Sequence, residues 1–421
     1  MTERLYYTDP LLREFDAAVL AAVDHDGRPA VLLDRTAFYP TSGGQPFDVG
    51  RLDVVPGVSD HGADSPGATV LDVIDAGDDV VHVLSAAVPA GLRVRGVIDW
   101  PRRFDHMQQH TGQHLLSAAL DRQHGARTVG FHMGAEMSTI DLDRLLAPEA
   151  LASAEFLTNE VVWGDHPVTV RFASAADAAA LPLRKESGRE GTLRLVEVPG
   201  FDLSACGGTH VPRTGAVGAV AIVGSEKVRG GTRLTFVAGG RVLRVLHTLD
   251  AIVAAGLRTL PVLPVDLPGA IERQAADLRD QKKTVKTLQE QLATAEAARL
   301  VAAAQAGAQA EARAEGAPGV ATLHVCTVVE GWDQAGLRLL ASRIVASPAR
   351  LAVLVSGTPA AVVVARSTDV PLDAQAVVRR LVETFGGRGG GRPEMAAAGG
   401  LEGGGADIVA RARTLVQPAA P

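Results

Sequence analysis

The chain has 421 residues, of which 47% are hydrophobic and 21% charged, and its formal net charge is −7. This length predicts two to four compact domains, and the composition is typical of globular proteins. The net negative charge excludes an indiscriminate nucleic-acid binder, although local basic patches can still bind a specific RNA. Only two cysteines occur, which excludes a disulfide scaffold, and the polar first residues favour a cytoplasmic protein.

The first part of the chain, residues 1–95, is predicted to be β. Its apolar runs AAVLAAV, PAVLLD, ATVLDVI and DVVHVL are separated by turns rich in Asp, Gly and Pro. This spacing predicts a small barrel or sandwich. Residues 96–248 begin with the helical pattern RRFDHMQQHTGQHLLSAALDRQ and continue as short strands and helices. We therefore expect an α+β fold, with an N-terminal β-barrel followed by an α+β core.

The segment 249–316 is predicted to be a helical spacer. Ile271, Leu278, Val285 and Leu292 are seven residues apart, which indicates a long helix or a helical hairpin with an imperfect heptad seam. The helix either packs on its own domain or pairs two copies into a homodimer through residues 266–315. Residues 317–421 alternate apolar strands with helices and close on a glycine-rich loop, FGGRGGGRPEMAAAGGLEGGG. They are predicted to form a separate α/β domain.

Two short motifs in the middle block indicate a metal site. In HTGQH, His110 and His114 are four residues apart, so both imidazoles lie on one face of a helix. In CGGTH, two glycines make a helix unfavourable, and a turn can bring Cys206 and His210 around one ion. Three imidazoles and one thiolate are a plausible tetrahedral set for Zn²⁺. The spacing does not distinguish a structural ion from a catalytic one.

The same residues carry a resemblance to a known family. MQQHTGQHLLSAAL followed by CGGTHVPRTGAVG resembles the editing domain of alanyl-tRNA synthetases and, more closely, the long free-standing alanyl-tRNA editing proteins. FYPTSGGQPFDVG resembles the glycine-rich motif of their small β domain, and GFHMGAEMSTIDL resembles their pocket strands. GSEKVRGGTRLTFVAGG is similar to the closing strands of that core, and FGGRGGGRPEMAAAGG is similar to the C-terminal tRNA-contacting domain of the synthetases.

The resemblance implies a hydrolase that cleaves the ester of Ser-tRNA(Ala), or of Gly-tRNA(Ala), with a zinc ion. The amino-acid activation domain of the synthetases would precede residue 1, so we expect editing without aminoacylation. The implied catalytic and metal-binding residues are His110, His114, Cys206 and His210. The implied substrate-binding residues are Gly43, Gly44, Gln45, His132, Ser138 and Thr139.

RNA contacts are expected from local arginines rather than from the overall charge. The candidates are Arg102, Arg103, Arg229, Arg233, Arg388 and Arg392. Three other functions compete with editing of alanyl-tRNA. A phosphodiesterase with the same type of C-terminal domain would need an Asp-His-His cluster, which does not occur. A regulatory RNA-binding protein with a structural zinc stays open, and threonyl-tRNA editing is disfavoured by the CGGTHV and GGQP segments.

Overall fold

A computed structural model of the protein describes residues 1–55, 67–184, 191–315, 322–357 and 359–417. The chain divides into two compact units, Met1–Arg258 and Thr259–Pro421. The finer division of the sequence into 1–95, 96–248, 249–316 and 317–421 stays a prediction.

The N-terminal part of the first unit is a closed barrel of six strands. Their order is β2-β3-β7-β6-β5-β8, and each strand is antiparallel to its neighbours. The barrel is therefore confirmed and the sandwich is not. Buried Phe15, Phe38, Leu52 and Val94 belong to its core. The strands of this region are β1 (Glu3–Arg4), β2 (Glu14–His25), β3 (Arg28–Leu33), β4 (Arg35–Thr36), β5 (Gly50–Val54), β6 (Ala68–Ala76), β7 (Asp79–Leu84) and β8 (Arg93–Ile98).

The long helix α1 (Trp100–His124) follows the barrel directly and has clear end signals. The carboxylate of Asp99 accepts a hydrogen bond from the backbone N–H of Arg102 (3.2 Å), and a proline occupies the first turn. Gly125 ends the helix with a φ of 58°, which glycine adopts without strain. The helix is buried from Gln109 to Leu120, so the polar residues of this stretch face protein rather than solvent.

Two antiparallel sheets complete the first unit. The four-stranded sheet has the order β14-β15-β10-β9 and shares a core with α1 and α2, whereas the three-stranded sheet has the order β11-β12-β13. The elements are β9 (Thr128–Met133), β10 (Ser138–Leu142), α2 (Pro148–Trp163), β11 (Thr169–Ser174), α3 (Ala175–Ala179), β12 (Thr192–Val198), β13 (Asp202–Ala205), β14 (Val220–Val228), β15 (Gly231–Ala238) and α4 (Gly240–Thr259).

The second unit begins with α5 (Leu267–Glu315), one continuous helix of 49 residues rather than a hairpin. Its heptad residues Ile271, Leu278, Val285 and Leu292 are each more than half exposed. Towards its C-terminal end, Leu300 and Val301 are buried in the core of their own unit. The C-terminal end of α5 thus packs on its own unit. For the exposed part of the helix, pairing of two copies stays a prediction.

The remainder of the second unit is a five-stranded mixed sheet with helices. The order is β16-β17-β18-β20-β19, in which only the pair β16–β17 is parallel among the described strands. The prediction that the glycine-rich segment is a loop is wrong in part. Much of the segment forms the hairpin β19–β20 at the sheet edge. The elements are β16 (Leu323–Val328), α6 (Gln334–Ile344), β17 (Arg350–Ser356), β18 (Ala360–Arg366), α7 (Ala374–Phe385), β19 (Arg388–Arg392), β20 (Met395–Leu401) and α8 (Gly405–Val416).

Within the described residues, no single helix is long and apolar enough to cross a membrane; α4 and α5 meet that criterion only as a broken pair.

Candidate metal centre

The four predicted ligands meet at one point in the first unit. His110 and His114 come from adjacent turns of α1, whereas Cys206 and His210 come from the segment that follows β13. One potential ligand atom from each residue lies within 4.8 Å of the other three. Sγ of Cys206 is 3.4 Å from Nε2 of His110 and 3.4 Å from Nε2 of His210. The sequence motifs therefore form a single cluster, although they are about 100 residues apart.

Each imidazole of the cluster is held through its other ring nitrogen. Nδ1 of His114 donates to Oδ2 of Asp202 (3.0 Å), and Nδ1 of His110 donates to the amide Oε1 of Gln45 (2.8 Å). The acceptors fix these tautomers, because an ionised carboxylate and an amide oxygen can only accept. Nδ1 of His210 contacts the hydroxyl of Thr111 (3.2 Å). All three Nε2 atoms are left to face the cluster, as in metal sites whose histidines are oriented by a second group.

The donor set fits a tetrahedral metal ion. With metal–nitrogen distances near 2.0 Å and a metal–sulfur distance near 2.3 Å, tetrahedral geometry places N and S donors about 3.5 Å apart. The observed 3.4 Å agrees with this spacing. The cluster can therefore hold a metal ion without a large rearrangement.

Burial and hydrogen bonds shift the protonation of the cluster. Burial by itself raises the pKa of the Cys206 thiol, but the imidazoles of His110 and His114 outweigh it and hold that pKa well below its usual range. Burial lowers the pKa of His210 to about 3, so this imidazole is neutral. Burial also lowers the pKa of His114, but hydrogen bonds with Asp202 and Cys206 raise it to about 9. A metal ion must compete with that proton, because only the neutral imidazole coordinates.

The glycine-rich motif of the barrel contacts the cluster through Gln45, which hydrogen-bonds to His110. Gly43 and Gly44 have φ angles of 59° and 86°, and a Cβ on Gly44 would lie 2.8 Å from the carbonyl oxygen of Phe131. The carbonyl of Gly44 accepts a hydrogen bond from the N–H of Met133 (3.1 Å), which ties the loop to β9. Gln45 is buried behind His110. Gly43 lines the cavity described next, but Gln45 supports a ligand rather than facing a substrate.

A cavity of about 380 Å³ opens beside the cluster. His110, His114 and Cys206 line it, and His210 does not. This volume lies within the range of small-molecule sites in proteins. Polar, aromatic and cationic side chains supply much of the wall, among them Arg4, Tyr6, Tyr7, Tyr39, Gln113, Thr128, Phe131, Phe172, Arg184, Arg194 and Ser204. The sequence contains only three tyrosines, and all three line this cavity.

Several residues of the site were not predicted from the sequence. Asp202 holds His114, and Arg184 in turn donates to Asp202 (2.6 Å) and to the hydroxyl of Ser204 (3.0 Å). Asp202, Ser204 and Cys206 alternate along β13 and its continuation, so they point to one side. That alternation in FDLSACGGTH was the available signal for Asp202.

Of the six predicted substrate-binding residues, Gly43 lines the cavity, and the other five do not: Gly44, Gln45, His132, Ser138 and Thr139. His132 and Thr139 are paired on β9 and β10, and they alternate with Phe131 and Ile140, which face the core beside α1. His132 and Thr139 therefore lie on the other face of that sheet. Ser138 is fully buried, and its hydroxyl has no partner among the described residues. His132, Ser138 and Thr139 therefore do not line this cavity, and their role in substrate binding stays a prediction.

The predicted RNA-binding arginines of the first unit differ in accessibility. Arg103 is completely buried and paired with Asp48, so the prediction that it contacts RNA is wrong. Arg102 lies over the ring of Phe47, and Arg229 is exposed in the turn between β14 and β15. Arg233 is engaged by both oxygens of Asp141 (2.7 and 2.9 Å), which offsets its charge.

In the second unit, Arg388 and Arg392 occupy the two ends of the edge strand β19. Both are exposed, and the three glycines between them leave the strand free of large side chains. Their position is compatible with the predicted contact to RNA, which stays a prediction.

Two family models match the sequence. The model described as the threonyl and alanyl tRNA synthetase second additional domain matches residues 193–234, and the DHHA1 domain matches residues 321–417. The first match covers β12, β13 and the Cys206 and His210 ligands, and the second covers most of the second unit.

Three relatives show how much of the chain is matched. An alanine–tRNA ligase of Natronomonas pharaonis is 34% identical over 95% of this chain and 42% of its own length. The alanyl-tRNA editing protein AlaX-L of Pyrococcus horikoshii is 29% identical over 94% of both chains. The alanyl-tRNA editing protein Aarsd1 of Danio rerio is 35% identical over 56% of this chain and 58% of its own length.

The extent of these matches differs between the two kinds of relative. The chain spans about two fifths of the length of the alanine–tRNA ligases that it matches. Against AlaX-L, by contrast, the match extends over nearly the full length of both chains. Both segments that the family models match lie in this one chain. The chain is thus similar over nearly its full length to an AlaX-type alanyl-tRNA editing protein, and its two matched domains fit that type.

Proposed function

We propose that this protein is a hydrolase that removes wrongly attached serine from tRNA(Ala), with glycine as a second substrate. The observation that carries the proposal is the opening of the metal cluster onto a cavity: His110, His114 and Cys206 all line it. An ion held only for structure needs no such access. Relatives named as alanyl-tRNA editing proteins support the choice of the aminoacyl ester as the bond that is cut.

We propose Zn²⁺ as the ion held by His110, His114, Cys206 and His210. A set of three imidazoles and one thiolate favours zinc over the harder cations, which prefer oxygen ligands. Bound there, zinc would act as a Lewis acid that polarises the ester carbonyl or a water molecule.

The protein's own side chains orient the site. Gln45 and Asp202 fix the ring orientation of His110 and His114, so that both Nε2 atoms point to the same place. The barrel loop at Gly43 and the ring of Phe131 line the cavity in which the ester would lie. Because an aminoacyl ester is a reactive bond, positioning of this kind is a large part of the catalysis we propose.

Selection against alanine needs groups that recognise the serine hydroxyl. A difference of one hydroxyl is poorly rejected by an apolar pocket, whereas a site with polar groups discriminates strongly. Gln113 and Thr128 line the cavity, and both are hydrogen-bonded to Ser117 (2.8 and 2.6 Å), which fixes their positions. We propose that they read the hydroxyl, in place of the residues chosen from the sequence. Alanine would leave unpaired those hydrogen-bonding positions of Gln113 and Thr128 that Ser117 does not occupy.

Exposed arginines are proposed to hold the RNA. Arg229 in the first unit and Arg388 and Arg392 in the second are exposed. Such contacts position a nucleic acid through its phosphates without reading its sequence. We also propose that two copies pair through the exposed stripe of α5, which includes Ile271, Leu278, Val285 and Leu292. Sedimentation of the wild-type chain and of an Ile271→Glu, Leu278→Glu variant tests this pairing.

One observation favours a different function, an RNA-binding or regulatory protein with a structural zinc. Four protein donors are sufficient to fill a tetrahedral shell, as in structural sites. In that case metal removal should unfold the first unit, and no ester should be hydrolysed with or without the metal.

The deciding experiment is deacylation of Ser-tRNA(Ala), Gly-tRNA(Ala) and Ala-tRNA(Ala) by the purified chain, with and without a zinc chelator. Loss of serine that the chelator abolishes, with alanine spared, is the expected result. No hydrolysis of any of the three esters would overturn the proposal in favour of the binding protein.

A further inference from the structure

The three-stranded sheet β11-β12-β13 has one covered face and one face toward the cavity. Leu193 and Leu195 of β12 form a small core with Ala178 of α3 on the covered face. Arg194, which lies between them in sequence, points to the opposite side and lines the cavity. The cavity face of this sheet is therefore available to a ligand.

Three residues on that face form a row that begins at the metal cluster. Arg194 is paired with Phe172 of β11, and its carbonyl accepts a hydrogen bond from the N–H of Cys206 (3.0 Å). Residues paired across antiparallel strands share a face, and neighbouring strands are separated by about 4.8 Å. Phe172 thus lies two strand spacings from the ligand Cys206, about 10 Å away along the sheet.

The outer end of the row is an aromatic ring that no core covers. Phe172 is half exposed (50%), lines the cavity and lies opposite the small core around Leu193 and Leu195. A single exposed aromatic residue is common on protein surfaces and carries little meaning alone. Phe172 differs from such a residue because it lies in one row with the metal ligand Cys206 on the cavity face of the sheet.

The middle of the row is a buried cation without a carboxylate partner. Three arginines line the cavity: Arg4 is paired with Asp75 and Arg184 with Asp202. Within the described residues, Arg194 has no such partner. Arg194 is only 7% exposed. It donates hydrogen bonds to the backbone carbonyls of three residues, whereas its Nη2 has no acceptor among the described atoms. Those carbonyls belong to Tyr7 (2.9 Å), Cys206 (2.7 Å) and Gly208 (2.9 Å).

We propose that this row is the subsite for the terminal nucleotide of the aminoacylated RNA, with Phe172 stacking on its base. The inference rests on the proposed function, because it places the ester at the metal cluster. One ribose separates that ester from the base, and the row provides this separation between Cys206 and Phe172. Arg194 supplies positive charge beneath the sugar and its phosphate. Stacking on an aromatic ring accepts any base, so this subsite binds the end of the RNA without selecting the tRNA.

Binding of a stable analogue to the zinc-loaded full chain tests the subsite separately from catalysis. The probe is 3′-deoxy-3′-(seryl)amidoadenosine, and the comparison probe carries the same seryl amide on a ribose without a base. Phe172→Ala is expected to raise the Kd for the adenosine probe about tenfold and to leave the Kd for the base-free probe unchanged. Phe172→Trp should retain binding. Phe156→Ala is the matched control, because Phe156 is 60% exposed on α2 and does not line the cavity.

The outcomes separate this inference from the proposed function. Unchanged binding of the adenosine probe by Phe172→Ala, or an equal loss for both probes, would overturn the subsite even if the wild-type chain hydrolyses Ser-tRNA(Ala). Failure of the wild-type chain to bind the adenosine probe would overturn it as well. A base-dependent loss in a chain that hydrolyses none of the esters would support the subsite and reject the hydrolase.

Discussion

Nδ1 of His114 and Oδ2 of Asp202 are joined by a hydrogen bond of 3.0 Å between residues that are 88 positions apart in the sequence. Burial by itself raises the pKa of the Asp202 carboxyl, but His114 and Arg184 outweigh it and hold that pKa below its usual range. The carboxylate is therefore ionised and can only accept. It fixes the imidazole with Nε2 toward the cluster, so the metal site depends on a residue that does not touch the metal.

Replacing this carboxylate should weaken the metal site. We expect Asp202→Asn to lower the affinity for zinc about 10- to 100-fold, because the amide no longer enforces the tautomer of His114. Competition with a chromophoric zinc chelator measures the affinity. Asp165→Asn is the control, since Asp165 pairs with Arg213 at the surface of the same unit (2.6 Å). Equal affinities for the two variants would contradict this role of Asp202.

The two glycines of the CGGTH turn should respond differently to a methyl group. Neither has a positive φ, so neither substitution forces an alanine into the left-handed region. A Cβ on Gly208 would collide with the ring of His110, whereas the nearest atoms to a Cβ on Gly207 are 3.7 Å away on Tyr7. We expect Gly208→Ala to lose bound metal and Gly207→Ala to keep it, as measured by metal content after gel filtration. Full metal content in Gly208→Ala would mean that metal binding does not require the ring of His110 in its present position.

The two cysteines provide a matched pair for testing the role of the metal. Cys206→Ala should abolish metal binding and deacylation while the barrel and the core around α1 stay folded, because both are separate apolar clusters. Cys326→Ala should retain metal binding and deacylation, since Cys326 is buried in the other unit. Deacylation rates, metal content and circular dichroism of both variants check this. Wild-type activity in Cys206→Ala would reject the zinc assignment.

Arg103 should contribute to stability and not to RNA binding. It is fully buried, it is paired with Asp48, and it also donates to the carbonyl of Pro10 (2.9 Å). Arg103→Met leaves the carboxylate of Asp48 buried and unpaired, and we expect the free energy of unfolding of the first unit to fall by about 3–5 kcal/mol. Urea denaturation measures this, with Arg102→Ala as the neighbour expected to lose less than about 1 kcal/mol. Weaker RNA binding by Arg103→Met at unchanged stability would reverse the assignment.

The ligands were predictable because their signals are local. His110 and His114 are related by one helical turn, and Cys206 and His210 lie within one short turn, so spacing alone brings each pair together. The supporting residues were not predictable in the same way. Gln45 was expected to face a substrate, yet it bonds to His110 from the barrel, which is a contact of tertiary structure.

The register of a strand decides which side chains face a pocket, and one sequence does not reveal it. His132 and Thr139 would face the cavity side if their strands were shifted by one residue. Strands β5 and β8, GRLDV and RVRGVI, were hidden because charges and glycine interrupt their apolar residues. The hairpin β19–β20 was taken for a loop because glycine is depleted in most strands. The burial of Arg103 beside Arg102 has no signal in the sequence.

Gln45 is 164 residues from Thr209, and its amide joins that residue and His110 in one network. During synthesis the barrel emerges first, and the last ligand follows only when His210 has been translated. The four-ligand set is therefore complete only after His210 has been translated, and by then the barrel residue Gln45 is already available to orient His110. A chain whose barrel is misfolded would keep all four ligands but lack the amide oxygen that orients the ring of His110.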